Sequence, residues 1–259
     1  MLGDATSPSK IDYSLWLKEV AQSNIKYSPL FVGGQTFPSI FFFGNPESAV
    51  AATVGVNPSA KEFSSNRKWS DEYIEPNRLL ERCRSYLQEP FGVQSHNWFE
   101  VWKDFLMKIG LSYNVEPKAV HFDLSPRATR SMSSLQRDGT QLQDLFLNLV
   151  ENALKYFFSQ LRAYPWIRYL YIAGSITKKF YIIEFLQKYS PHYAYSLRPV
   201  LPFERGCSGQ IGLYELDLGD HALRYLFFCS TSPSARRGLN PLPHKATLLK
   251  NDYPRFLPC

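Results

Sequence analysis

The feature that most constrains this chain is a repeated unit. A short apolar run stops at a small or polar residue, passes through a loop holding Pro, Ser or Asn, and gives way to a stretch of helical period. Residues 51–56, 119–124, 169–173 and 225–229 are the apolar runs. Continuous runs this short read as strands buried on both faces. The stretches between them, near 76–87, 97–109, 142–161 and 176–186, carry apolar residues at helical spacing. Strand and helix alternate, so the expected fold is α/β: a three-layer α/β/α arrangement around a central, mainly parallel four-stranded sheet. Right-handed crossovers would bring the carboxyl ends of those strands to one edge, where open α/β sheets bind ligands.

The longest helix is the clearest of these elements. Leu142, Leu145, Phe146, Leu149, Val150, Ala153, Leu154, Phe157, Phe158 and Leu161 keep helical period without a miss, and Pro165 prevents continuation. Trp98, Val101, Trp102, Phe105 and Ile109 share one face of another helix, which Gly110 ends. Pro76 suits a first helical turn, where its missing donor is not needed. Residues 1–36 read as a peripheral lead-in with one helix near 13–22, and residues 37–259 as a single domain. Within it, residues 40–43 suggest a hairpin-like entry into the first core strand. Two strand-like runs around residues 205–209 suggest a hairpin insertion near 193–218.

A chain of 259 residues with 44% hydrophobic and 15% aromatic residues can bury a full core without staples. No apolar run approaches the ~18 to 20 residues that cross a bilayer. Asp4 and Ser7-Pro8 stand where a secretory signal would need an apolar core. These features lead to the expectation of a soluble cytoplasmic monomer. Cys83, Cys207, Cys229 and Cys259 lack the paired spacing of zinc and iron-sulfur sites, so neither metal nor cofactor is expected. A net charge of +6 and a pI near 9.0 favour an anionic partner only if the charge is gathered in one place.

The loops after the apolar runs gather it. The first run delivers Gly55-Val56-Asn57-Pro58-Ser59 into a segment holding Lys61, Phe63, Arg67, Lys68 and Trp69. The second ends in Asp123-Leu124-Ser125-Pro126, followed by Arg127 and Arg130. The last ends in Ser230-Thr231-Ser232-Pro233-Ser234-Ala235-Arg236-Arg237-Gly238. Each loop alone has a bland reading, because Asn-Pro and Ser-Pro are ordinary turn dipeptides and strand-end loops are often basic.

In this order and on these strands, the loops resemble the motifs of the uracil-DNA glycosylase superfamily. Gly55-Val56-Asn57-Pro58-Ser59 is similar to that family's Gly-x-Asn-Pro-Gly, with Ser for the last Gly. His121-Phe122-Asp123-Leu124-Ser125-Pro126 resembles its second motif, with Asp in place of the Asn that reads the base. Ser232-Pro233-Ser234-Ala235-Arg236 resembles the third-motif loop of the thymine-DNA branch. The resemblance spans residues 51–250 and leaves the lead-in and the 193–218 hairpin uncovered.

The resemblance implies an enzyme that flips a base out of DNA and hydrolyses its glycosidic bond, leaving an abasic site. On that reading Asn57 positions the water, and Asp123 and Ser232 join it at the catalytic centre. Gly55, Ser59, Trp69 or Phe63, and Asp123 enclose the base. Ser234, Ala235, Arg236 and Arg237 enter or grip the duplex, Arg236 as the wedge, while Lys61, Arg67 and Arg127 add backbone contacts. Asp for Asn is the informative departure. A carboxyl accepts from the exocyclic amine of cytosine and, when protonated, also donates to its N3, whereas an amide suits the uracil edge. Ser59 leaves room at C5. The expectation is therefore excision of a cytosine-type base, 5-modified as in viral DNA, from duplex and also single-stranded DNA. The alternatives are repair of uracil or of G:T and G:U mismatches, and a DNA-binding module without chemistry.

Overall fold

The computed structural model describes residues 11–22, 24–31, 39–58, 75–87, 97–130, 135, 137–177, 180–205, 209–233 and 241–258. Its strands are β1 (Phe42–Phe43), β2 (Ala49–Gly55), β3 (Lys118–Asp123), β4 (Tyr169–Ala173), β5 (Ser196–Leu201), β6 (Ile211–Asp217) and β7 (Arg224–Cys229). Its helices are α1 (Tyr13–Gln22), α2 (Asn24–Tyr27), α3 (Pro76–Ser85), α4 (Asn97–Lys108), α5 (Thr140–Ala163), α6 (Ile182–Tyr189) and α7 (Lys245–Asp252).

The four apolar runs form the parallel heart of the sheet, β3-β2-β4-β7. Among the described residues the sheet has seven strands, not four, in the order β1-β3-β2-β4-β7-β6-β5. The additional three pair antiparallel: β1 on β3, β6 on β7, and β5 on β6. The residue 40–43 segment forms no hairpin with β2. Both edges of β2 are occupied, by β3 and β4, so β1 takes the open edge of β3. The β5–β6 hairpin likewise covers the open edge of β7 and extends the sheet, which leaves fewer unpaired backbone groups at its margin.

Register sorts the sheet into two faces, because successive residues of a strand point to opposite sides. Phe43, His121, Thr53, Tyr171 and Phe227 form one cross-strand row. α4 lies over it, with the Phe105 ring 5.3 Å from Tyr171 and 5.4 Å from Phe227. The next row, Phe42, Phe122, Val54, Ile172 and Phe228, faces the other way. There Tyr13 of α1 sits 5.5 Å from Phe42, and Tyr181, at the start of α6, sits 6.0 Å from Phe228. Helical segments therefore cover both faces. That is why β2, β3, β4 and β7 are buried almost throughout and why they read as continuous apolar runs. The 176–186 stretch starts its helix only at Ile182. Glu184 reaches back to the Tyr181 N–H at 2.9 Å, which fixes the first turn there.

Candidate active site

β2 and β3 end side by side, Gly55 in register with Asp123. Their pairing continues past the strands, where Leu124 N–H donates to Gly55 O at 3.0 Å and Ser125 N–H to Val56 O at 2.9 Å. The two loops therefore leave the sheet locked together. Asn57 strengthens the lock: its Nδ2 donates to Pro58 O at 3.0 Å, Arg127 O at 3.1 Å and Thr129 Oγ1 at 3.1 Å. Two carbonyl oxygens can only accept, so they fix which end of the amide faces them. The Thr129 hydroxyl is spent on Arg130 O at 3.1 Å and accepts as well. With Nδ2 committed, the Asn57 oxygen is the end chemically suited to receive a hydrogen bond from water.

Asp123 and His121, two apart on β3, share the face covered by α4. Both are buried, at 4% and 3% exposure. His121 Nε2 lies 3.3 Å from Asp123 Oδ1, and His121 Nδ1 lies 3.0 Å from Thr53 O and 3.1 Å from Thr53 Oγ1. Tyr113 closes the chain, its hydroxyl 2.6 Å from Thr53 Oγ1. Burial, with a smaller contribution from the Asp123 charge, pushes that hydroxyl well above the ordinary tyrosine range despite its bond to Thr53, so it stays protonated. Trp98 and Phe99 of α4 hold the imidazole edge-on, at 4.4 and 5.3 Å between centroids, and Phe43 stacks on it at 5.9 Å.

Gly55 makes this arrangement possible. A Cβ there would lie 2.5 Å from Asp123 Oδ1 and 3.1 Å from the His121 ring, so the carboxyl crosses β2 only because β2 has no side chain at that point. The second carboxyl oxygen, Oδ2, is buried without a hydrogen-bond partner. An acceptor buried in this way costs about 1–3 kcal/mol, and a water, an ion or a ligand that donates to it would offset that cost.

The other two parallel strands end on the same edge. Gly174, after β4, has φ 95° and donates its N–H to Cys229 O at 2.9 Å. A Cβ on it would lie 3.2 Å from Ser232 Cα, so a glycine is needed for the loop after β7 to come this close. Ser232 is exposed in that loop. β4 stands between its strand and the strand that carries Asn57.

Arg127 differs from its expected role. It is 4% exposed, with Nη1 donating to Val20 O at 2.8 Å and the guanidinium 4.5 Å above the Phe31 ring. Burial pushes it down to about 10. A side chain turned under α1 is not placed to meet a phosphate backbone, so Arg127 is a structural anchor. It borders a groove of about 560 Å³ that is also lined by Lys26, Asn152, Lys155 and Tyr156 and includes neither Asn57 nor Asp123. Ser59, Lys61, Phe63, Arg67 and Trp69 lie outside the described residues, as do Ser234, Ala235, Arg236 and Arg237.

His121 is the residue to which the sequence reading gave no role. Its spacing from Asp123 was the available signal, since two strand residues separated by one share a face. Among the described residues, no group of His, Cys, Asp and Glu is arranged to hold a metal ion, and no helix is long and apolar enough to cross a membrane. No protein-family model, curated protein or solved structure matches the chain.

Proposed function

We propose that the protein is a monofunctional DNA glycosylase of the uracil-DNA glycosylase type, with the three-layer architecture of that family, acting on a cytosine-type base. The observation that carries this reading is that the strand leading to Asn57 and the strand ending in Asp123 are adjacent and parallel, with Gly55, in register with Asp123, giving up its side chain to make room for the carboxyl. Water positioned at Asn57 bonds to C1′ as the C1′–N1 bond breaks. The bonding electrons leave with the base, which takes up the proton that the water releases. The buried, unpartnered Oδ2 is an acceptor, and an exocyclic amine is the donor that distinguishes cytosine from uracil. Flipping costs a few kcal/mol of unstacking, which the Ser232 to Arg237 loop offsets on this reading.

A general cytosine glycosylase would damage its own genome. The substrate that fits is a foreign or rare 5-modified cytosine, such as a hydroxymethylated or glucosylated base of viral DNA, and the role is defence by a cytoplasmic, monomeric enzyme. The test is a set of duplexes carrying cytosine, 5-hydroxymethylcytosine, glucosylated cytosine, uracil and G:T mismatches, treated with the protein and then with alkali. Strand cleavage at a cytosine-type base is the expected result. Cleavage at uracil or thymine alone would make the protein a repair enzyme, and no cleavage with retained DNA affinity would make it a binding module.

A further inference from the structure

The groove of about 560 Å³ that Arg127 borders is formed by α1, α2 and α5, with Pro126 and Arg127 of the loop after β3 beside them. A volume of that size suits a small-molecule ligand. Asp123 shares the face of the sheet that α4 covers, whereas α1 packs on Phe42, whose row points the other way. The groove is therefore a second place in the fold and not an extension of the first.

Its charge is unbalanced. Three of the lining residues, Lys26, Arg127 and Lys155, are cations, and one, Glu19, is a carboxylate. Lys155 Nζ and the Tyr156 hydroxyl both donate to Glu19 Oε2 at 2.8 Å, so that carboxylate is matched within the wall. Lys26 is matched by no carboxylate among the described residues. Its Nζ donates to Asn148 Oδ1 at 2.8 Å, and the same oxygen accepts from the Tyr27 hydroxyl at 2.9 Å. Asn152 Nδ2 braces the cluster by donating to that hydroxyl at 2.9 Å and to Asn148 O at 2.8 Å. A neutral amide oxygen orients an ammonium without cancelling its charge, and this bond uses one of its three donors. Arg127 adds a second positive charge from the buried side of the wall; lowered by burial to about 10, it is still protonated at neutral pH.

The rest of the lining is largely apolar or aromatic, with Leu149, Ala153, Tyr27, Tyr156 and Tyr193 supplying most of it. We propose that the groove binds a small phosphate ester of mononucleotide size, with its phosphate at Lys26 and its ring against the tyrosines. The net excess of two positive charges matches a phosphomonoester, which carries about −1.5 to −2 at pH 7. Inorganic phosphate would match the charge but leave the aromatic wall and most of the volume unused. A nucleic-acid strand calls for a track of phosphate contacts with stacking rings along it, and the groove offers a single cluster of charge. The proposal stands apart from the glycosylase reading, since none of its residues takes part in that chemistry.

The test is isothermal titration calorimetry of the full chain with adenosine monophosphate, adenosine and inorganic phosphate, with a thermal melt of each variant to show that it folds. Adenosine monophosphate should bind with a Kd below about 1 mM, and adenosine and inorganic phosphate should each bind at least about 10-fold more weakly. Lys26→Met should weaken adenosine monophosphate by about 10-fold, the scale of one hydrogen bond to a charged group, and Lys26→Arg should keep most of the affinity. Glu19→Gln should tighten binding, because it removes the negative charge of the wall and releases Lys155. Asp123→Asn should bind as the wild type does. Absence of adenosine monophosphate binding overturns the proposal, as does adenosine or inorganic phosphate binding equally well. Affinity unchanged in Lys26→Met overturns it too, and affinity lost in Asp123→Asn would assign the ligand to the strand-end site instead. None of these readouts depends on base release, so a protein that binds adenosine monophosphate at Lys26 but excises nothing would refute the glycosylase reading and leave the groove assigned.

Discussion

The side-chain nitrogen of Asn57 and the main-chain oxygen of Arg127, separated by 70 residues in sequence, are 3.1 Å apart, and this bond joins the loops after β2 and β3. The same residue that is oriented to hold a water is therefore a fastener between the two strands whose ends form the site. Asn57→Ala should lower single-turnover excision by about 10² to 10⁴ through lost water positioning. It should also lower stability by about 1–3 kcal/mol, because acceptors lose their donor. Asn57→Asp should destabilise more, since it turns an acceptor toward two carbonyl oxygens. Urea midpoints measured alongside the rates separate the two effects. An Asn57→Ala enzyme with the wild-type rate on its substrate would remove Asn57 from the mechanism.

Arg127 and Arg236 both follow a Ser-Pro strand ending, yet opposite results are expected from them. Arg127→Met should cost about 1–3 kcal/mol of stability by leaving Val20 O without its charged donor, while the salt dependence of DNA binding stays the same. Arg236→Ala should leave the folded state near wild type and weaken productive binding to duplex more than to single strand, because only the duplex must be unstacked. Thermal melts and binding isotherms on both DNA forms check the pair. Equal losses on duplex and single strand would rule out the wedge.

These contrasts show what was readable in the sequence. The parallel core was, because strands buried on both faces must be apolar throughout, and residues 169–173 are found as β4 with no shift of boundary. β1 was less readable: a two-residue strand is fixed by which sheet edge is open, and that depends on β3, some 75 residues away. Arg127 was misread because a basic residue after a strand looks the same whether it faces solvent or turns inward. The deciding partners, Val20 and Phe31, are remote in sequence. His121 stood in plain view, but its Nδ1 partners, the carbonyl and hydroxyl of Thr53, lie on another strand 68 residues away, and no local pattern announces them.

A second ion pair tests the fold apart from the site. Arg224 is fully buried, and its guanidinium meets both oxygens of Asp220 at 2.9 and 2.6 Å as well as the carbonyls of Ala222 and Leu161. Burial pushes the Asp220 carboxyl up, but the hydrogen bonds and charge of Arg224 outweigh it and hold the group below the ordinary carboxylate value. A carboxyl depressed in the folded state contributes stability that is present above its unfolded value, about 3.9, and lost as pH falls through the folded one. Asp220→Asn should cost about 3 kcal/mol at neutral pH, since it leaves Arg224 with a buried, unbalanced charge. It should also flatten the acid end of the stability curve. Urea denaturation of both proteins from neutral pH to below pH 4 reads both effects, and parallel curves would show that Asp220 and Arg224 are not coupled.

The last prediction concerns Gly55, where the smallest change reaches the site without altering any polar group. A methyl there would lie 2.5 Å from Asp123 Oδ1, far inside contact distance, and 3.1 Å from the imidazole. The backbone can accept alanine, since Gly55 is in extended strand conformation, so the conflict is with the carboxyl and, less severely, with the imidazole. Asp123 cannot simply swing aside, because it is 4% exposed and the His121 ring packs 3.3 Å from its Oδ1. Gly55→Ala should therefore cost about 1–3 kcal/mol as an overpacked core position and displace the carboxyl by several tenths of an ångström or more. Misplacement on the order of 1 Å can lower a positioned reaction by about 10²-fold. Excision of the cytosine-type base should fall by that order, and its preference over uracil should shrink, because the orphan acceptor no longer meets the amine. DNA affinity should hold, since no phosphate contact is touched. If Gly55→Ala retains both rate and base preference, the carboxyl at the end of β3 does not read the base, and the cytosine assignment falls with it.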